Sequence, residues 1–306
     1  MRLSVMVFGL VCLCAVVIGI AAPAIQDDDV RGAFLTSRPK DKPANTGGTT
    51  ARPSRRRPKS NNPNKPPDKT PVKPGPSKPA PSPSESSTPV NARRLGLGVT
   101  LFMRDSNGLA VRVDPDHIFR KGDRVRVLLE TNTDGYLYIF NTTNDGPATM
   151  IYPDKDLDEA GNYLQAHVPF EIPTSLAGEE RLRWFAFDET AGTEHLYFVF
   201  TREPLKDVPI EDDLIAFCRD SKCPVQPNEE VWAAVQKELQ EPFKTDKAPQ
   251  FGKAETSSEQ QAATRGLGLA KDDPQPSMVM MASSPRSTLV ATLDLIQVRV
   301  NHPSAS

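Results

Sequence analysis

The chain has 306 residues, of which 38% are apolar and 25% charged, with 37 basic against 39 acidic side chains and a mean hydropathy of −0.45. This composition excludes a multi-span membrane protein and a coiled coil, and four cysteines are too few for a small disulfide scaffold. Thirty prolines, 14 of them within residues 38–90, take that stretch out of any packed core and leave enough chain for one sizeable domain.

Arg2 is the only charge before Asp27, and the stretch between them is almost wholly apolar. A positive start, an apolar run and the small residues Ala22-Pro23-Ala24 predict a secretory signal peptide over residues 1–24. The run also approaches the length that spans a bilayer, so an uncleaved anchor is the alternative. Val11 and Leu13 precede Cys12 and Cys14 where a lipidation site needs a small residue. Export to the periplasm or cell surface is therefore expected, with membrane contact only through this N-terminal segment.

Residues 38–90 carry 12 Lys/Arg and 3 Asp/Glu, a net +9, while the whole chain is −2. They hold no aromatic residue, so burial has little with which to offset chain entropy. Residues 25–93 are expected to be a disordered basic spacer. Pro71-Val72-Lys73-Pro74-Gly75-Pro76 favours extended polyproline II. Such a spacer either holds a domain away from a surface or docks on an anionic polymer. Nucleic acid is not expected as a partner, because the rest of the chain is acidic.

From residue 94 the chemistry changes. Val99–Arg104 and Leu109–Val113 flank Ser106-Asn107-Gly108, a hairpin signal. Arg124–Glu130 alternates, and Tyr136–Asn141 is apolar on both faces, as a covered central strand would be. Ala148–Tyr152, Leu182–Phe187 and Leu196–Thr201 follow at short intervals, with turn residues and no helical pattern between them. Residues 94–206 thus predict an all-β fold, an antiparallel Ig-like β-sandwich. No crossover helices intervene, so a doubly wound α/β fold is excluded.

Residues 207–243 predict a short helical appendage, with Asn228 capping a helix through Val231, Trp232, Val235 and Leu239. Cys218 and Cys223 lie between this helix and one suggested by Ile210, Leu214 and Phe217. In an oxidising compartment this close pair is expected to bridge, with free thiols as the alternative. Residues 244–286 read as loose polar chain. The two-sided run Leu289–Val300, within residues 287–302, reads as a strand that completes the sandwich rather than remaining an open edge.

No nucleophile motif, zinc spacing or phosphate-cradling loop is present, so neither catalysis nor a cofactor is expected. Asp154, Asp156 and Asp158 alternate as a calcium loop would, yet Glu159 stands where an EF-hand needs glycine and Gln165 where it needs glutamate. A solvated acidic turn is the simpler reading. Tyr136 and Tyr138 share one strand face and, with Trp184, form a possible binding face.

Phe119-Arg120-Lys121-Gly122-Asp123-Arg124-Val125-Arg126, followed by Asn132-Thr133-Asp134-Gly135-Tyr136-Leu137-Tyr138, resembles the bacterial domain-of-unknown-function family 4384. Tyr152-Pro153 and Gly192-Thr193-Glu194 fit the same pattern, and the resemblance covers roughly residues 95–205. It implies a β-rich accessory module of exported proteins, found beside caspase-like peptidase or protein-kinase domains, with no catalytic residues. The expected function is an exported, non-enzymatic binding or accessory module for a cell-envelope protein or polymer. A regulatory module acting in trans on a peptidase or kinase is the alternative, and a cryptic hydrolase a second.

Overall fold

The computed structural model describes residues 29–41, 55–57, 93–156, 160–220, 222–248 and 250–298. The proposed signal or anchor and most of the proline-rich stretch lie outside these residues. Among the described residues, no helix is long and apolar enough to cross a membrane.

The strands are β1 (Gly96–Arg104), β2 (Ala110–Arg112), β3 (Ile118–Phe119), β4 (Arg124–Thr131), β5 (Gly135–Thr143), β6 (Thr149–Tyr152) and β7 (Tyr163–Leu164). They continue with β8 (Phe170–Ile172), β9 (Phe185–Ala186), β10 (Gly192–Thr201), β11 (Phe243–Lys247), β12 (Met278–Ala282) and β13 (Thr288–Gln297). Among the described residues, four α-helices accompany them: α1 (Val30–Leu35), α2 (Glu211–Arg219), α3 (Glu229–Leu239) and α4 (Ser257–Arg265). The fold is an all-β sandwich. The first sheet runs β11-β12-β1-β4-β8, with β2 on β1 and β9 on β4; the second runs β3-β13-β10-β5-β6, with β7 on β5. All pairings are antiparallel except β3 with β13, which is parallel.

Strand alternation builds the layers. Leu97, Val99 and Leu101 of β1 and Val125, Val127 and Leu129 of β4 face Leu137 and Ile139 of β5 and Leu196, Phe198 and Phe200 of β10. The terminal strand β13 joins this core through Leu289, Ala291, Leu293 and Leu295, and pairs with β10 from Thr201↔Thr288 to Gly192↔Gln297.

Both outer faces are covered, and here the structure corrects the sequence expectations. On the second sheet, α2 and α3 bury Tyr136, Tyr138, Phe140, Val199 and Val290 beneath Leu214, Val231 and Val235. The expected helical appendage is thus a layer of the body. Asn228 accepts from the Val231 N–H at 2.8 Å and starts α3 as its sequence implied.

On the first sheet, residues 244–286 are not loose. They supply β11, α4 and β12, whose Met278, Val279, Met280 and Met281 are all buried. Part of the expected spacer is also folded. Val30 and Phe34 of α1 pack on Val279 and Met281, and the fully buried Phe34 stabilises this contact by roughly 1.5–3 kcal/mol. Gly98 makes the fit possible: a Cβ there would come within 2.5 Å of Pro276 and 3.1 Å of Phe34. The Leu182–Phe187 strand expectation also changes. Glu180–Arg183 forms a 3-10 turn, because the Arg183 Nε–H folds back onto the Ala177 carbonyl, and only Phe185–Ala186 pairs as strand.

Candidate functional site

Alternation along β5 sends Tyr136 and Tyr138 outward, as expected, but α2 and α3 cover them and they are 3% and 0% exposed. Trp184 lies on the outer face of the opposite sheet, with Phe102, Leu128 and Ala263, and is 8% exposed. The three aromatic residues therefore form neither one face nor an open one. The reason is tertiary: two-sided apolar strands were met by helices on both outsides of the sandwich.

Burial raises the Tyr138 phenol above its ordinary range, and the Tyr138 oxygen accepts from the Leu205 N–H at 3.0 Å. That bond ties the loop after β10 to the sheet. With α3 this loop forms the walls of a groove of about 450 Å³. Val199 and Val290 of the sheet and Val231 and Val235 of α3 supply apolar lining, and Pro204 and Leu205 supply the loop side. Glu203, Asp207, Glu230 and Glu238 also line it, against the single cation Lys206. The groove is thus apolar inside and acidic at its margin. Ala234, exposed on α3, lines it as well.

The α2–α3 layer is clamped by the expected bridge: Cys218 and Cys223 are disulfide-bonded. Asp154 and Asp156 lie in an exposed turn in which Asp156 pairs with Lys155 and its N–H bonds Asp154 at 2.8 Å. Asp158 falls outside the described residues. Among the described residues, no group of three or more His, Cys, Asp or Glu side chains is placed to hold a metal ion.

The outer face of the first sheet holds two buried ionic clusters that no motif announced. In one, the Arg38 Nε–H and an Nη2–H donate to the two Glu130 oxygens at 2.8 and 2.6 Å. Its other N–H groups donate to the carbonyls of Ala270, Asp273 and Pro274. His167 Nδ1 lies 2.7 Å from Glu130, and its Nε2 lies 2.8 Å from the Ser37 hydroxyl. Burial alone would raise the Glu130 carboxyl; hydrogen bonds and charge from His167 and Arg38 outweigh it and hold the group below the usual carboxylate range.

In the second cluster Arg112 pairs with Glu259 of α4, and Arg126 pairs with Glu255 at 3.0 Å and with Glu171 at 3.8 Å. The Arg126 guanidinium also lies over the Trp184 ring, 4.5 Å from its centroid. Three buried carboxyls thus face two guanidiniums. Oε1 of Glu171 and Oε1 of Glu255 are buried without a hydrogen-bond donor. Burial, then the charge and hydrogen bonding of Glu171, push the Glu255 carboxyl up to about 8. A side cavity of about 360 Å³ opens beside Arg126 and Glu255. Chemically the two clusters act as fasteners: they fix residues 37–38 and 255–277 to β1, β2 and β4.

No curated protein and no solved structure matches the chain. The model of one family, a domain of unknown function, DUF4384, matches residues 118–204, the stretch from β3 through β10. β1, β2, β11, β12, β13 and all four helices lie outside that match. That match is consistent with the resemblance read from the sequence.

Proposed function

We propose that the chain is an exported, non-enzymatic protein whose sandwich serves as a binding module for another cell-envelope component, docked as an extended segment in the groove beside α3. One observation carries this reading. The groove combines an apolar floor on rigid β10 and β13 with an acidic rim from Glu203, Asp207, Glu230 and Glu238. An extended chain with apolar and basic side chains meets both requirements. The apolar N-terminal stretch and the Cys218–Cys223 bridge support export.

A photo-crosslinking amino acid at Ala234 tests the reading, with the exposed Leu182 on the other side of the sandwich as control. The expected result is an adduct with an envelope component from position 234 and not from 182. Equal adducts at both positions, or none at 234, would contradict it.

A further inference from the structure

We infer that the sandwich holds a small-molecule site between its two sheets, separate from the groove beside α3, and that the site takes a small amine with an apolar body. The first argument is where the core stops being apolar. Inward positions run Leu137, Ile139, Asn141 along β5; Phe198, Leu196, Glu194 along β10; and Leu293, Leu295, Gln297 along β13. The three polar residues come together at one end of three adjacent strands, because Asn141 pairs with Leu196 and Leu295 with Glu194. Between them and β4 lies a cavity of about 260 Å³. Val125 and Val127 of β4, Leu196, Leu295 and Phe187 give it apolar walls. Ordinary ligand pockets run from roughly 300 to 1,000 Å³, so this one suits a single ring or a branched alkyl chain.

The second argument is the chemistry of the polar end. Glu194 Oε2 accepts from the Asn141 amide at 2.8 Å and from the Thr143 hydroxyl at 2.9 Å. These neutral donors fix the carboxylate, and its Oε1 accepts no hydrogen bond among the described residues. Asn141 Oδ1 is buried and also has no donor. Gln297 donates to the Asp188 carbonyl at 2.6 Å and so holds the loop after β9 against the site. Exposed Ala186 and Asp188 line the cavity on its solvent side. Among the described residues, no lysine, arginine or histidine lines it. The lining thus offers acceptors and two carboxylates without a cation. An ammonium group supplies both the missing N–H donors and the opposite charge, while its apolar body takes the walls. An anion would meet Asp188 and Glu194 with nothing to offset them.

The test titrates phenethylamine and isoamylamine into the full chain and follows its methyl resonances. The inference expects saturable shifts at Val125, Val127, Leu196 and Leu295. Phenylacetate, which carries the opposite charge on a similar body, should bind at least about tenfold more weakly than phenethylamine. Glu194→Gln keeps the volume and an acceptor for Asn141 and Thr143, and should weaken amine binding at least about tenfold. Ala186→Trp, at an exposed position, should cover the opening and abolish the shifts while leaving the core intact. No saturable shift with either amine would overturn the inference. So would phenylacetate binding as tightly as phenethylamine, or undiminished amine binding in both variants. Shifts confined to Val231 and Val235 would place the amines in the groove beside α3, overturning this site and leaving the docking reading standing.

Discussion

Replacing Glu255 by Gln should change the pH dependence of stability in a defined direction. In the folded protein Glu255 titrates at about 8, because burial and Glu171 disfavour its charge, whereas an exposed carboxyl titrates near 4.5. Between these values the folded state holds a proton that the unfolded chain has released. Stability therefore falls with rising pH across this window, at about 1.4 kcal/mol per unit, and is flat in this group above it. Gln keeps the volume and carries no charge at any pH in this window. Arg112 and Arg126 then face only Glu259 and Glu171. Urea unfolding of both proteins at pH 5 and pH 8 provides the assay. The stability of Glu255→Gln relative to the parent should rise by about 3–4 kcal/mol between the two pH values, the difference cancelling contributions from other groups. A change below about 1 kcal/mol would refute the claim that burial and Glu171 keep Glu255 protonated in the folded state.

Arg38→Ala should cost about 3–5 kcal/mol by urea unfolding, because it strands the buried Glu130 beside His167; a loss under about 1 kcal/mol would mean that residues 37–38 do not fasten the sheet. Gly98→Val should expel Phe34 and Pro276 from β1, seen as fast amide exchange in α1 while β5 and β10 stay protected; unchanged α1 protection would contradict the notch. Cys218→Ser with Cys223→Ser should lower stability by about 2 kcal/mol in the chain-entropy model for so short a loop, measured against reductant-treated parent protein as control.

What the sequence disclosed and what it hid follow from where charge sits. Alternation gave away β4, apolar β-forming runs bounded by turn residues gave away β1, β5, β10 and β13, and Asn228 with its acidic first turn gave away α3. α4 was invisible because its buried face consists of Ala262, Ala263 and Glu259, and a buried glutamate reads as solvent-facing. β12 was missed because Met278–Ala282 is short, holds one β-branched residue and no aromatic one, and lies between proline- and serine-containing stretches. Arg38 lay inside a proline-rich, basic stretch whose composition argued for solvent, although the folded body buries it on Glu130. The Leu95-Gly96-Leu97-Gly98 pattern was the one available signal for a close approach on the first sheet, since small residues recur on one face of β1. The groove itself was beyond reach from sequence, because it forms between a helix, a loop and two strands distant along the chain.

Hydrogen exchange across the intact chain most directly tests the claim that the functional body extends from α1 to β13 rather than coinciding with residues 118–204. The account predicts that amides of α1, α4 and β12 exchange as slowly, within about tenfold, as those of β4 and β10. Rapid exchange throughout residues 29–41 and 250–282, beside a protected 94–206, would contradict it and return the flanking segments to unstructured chain.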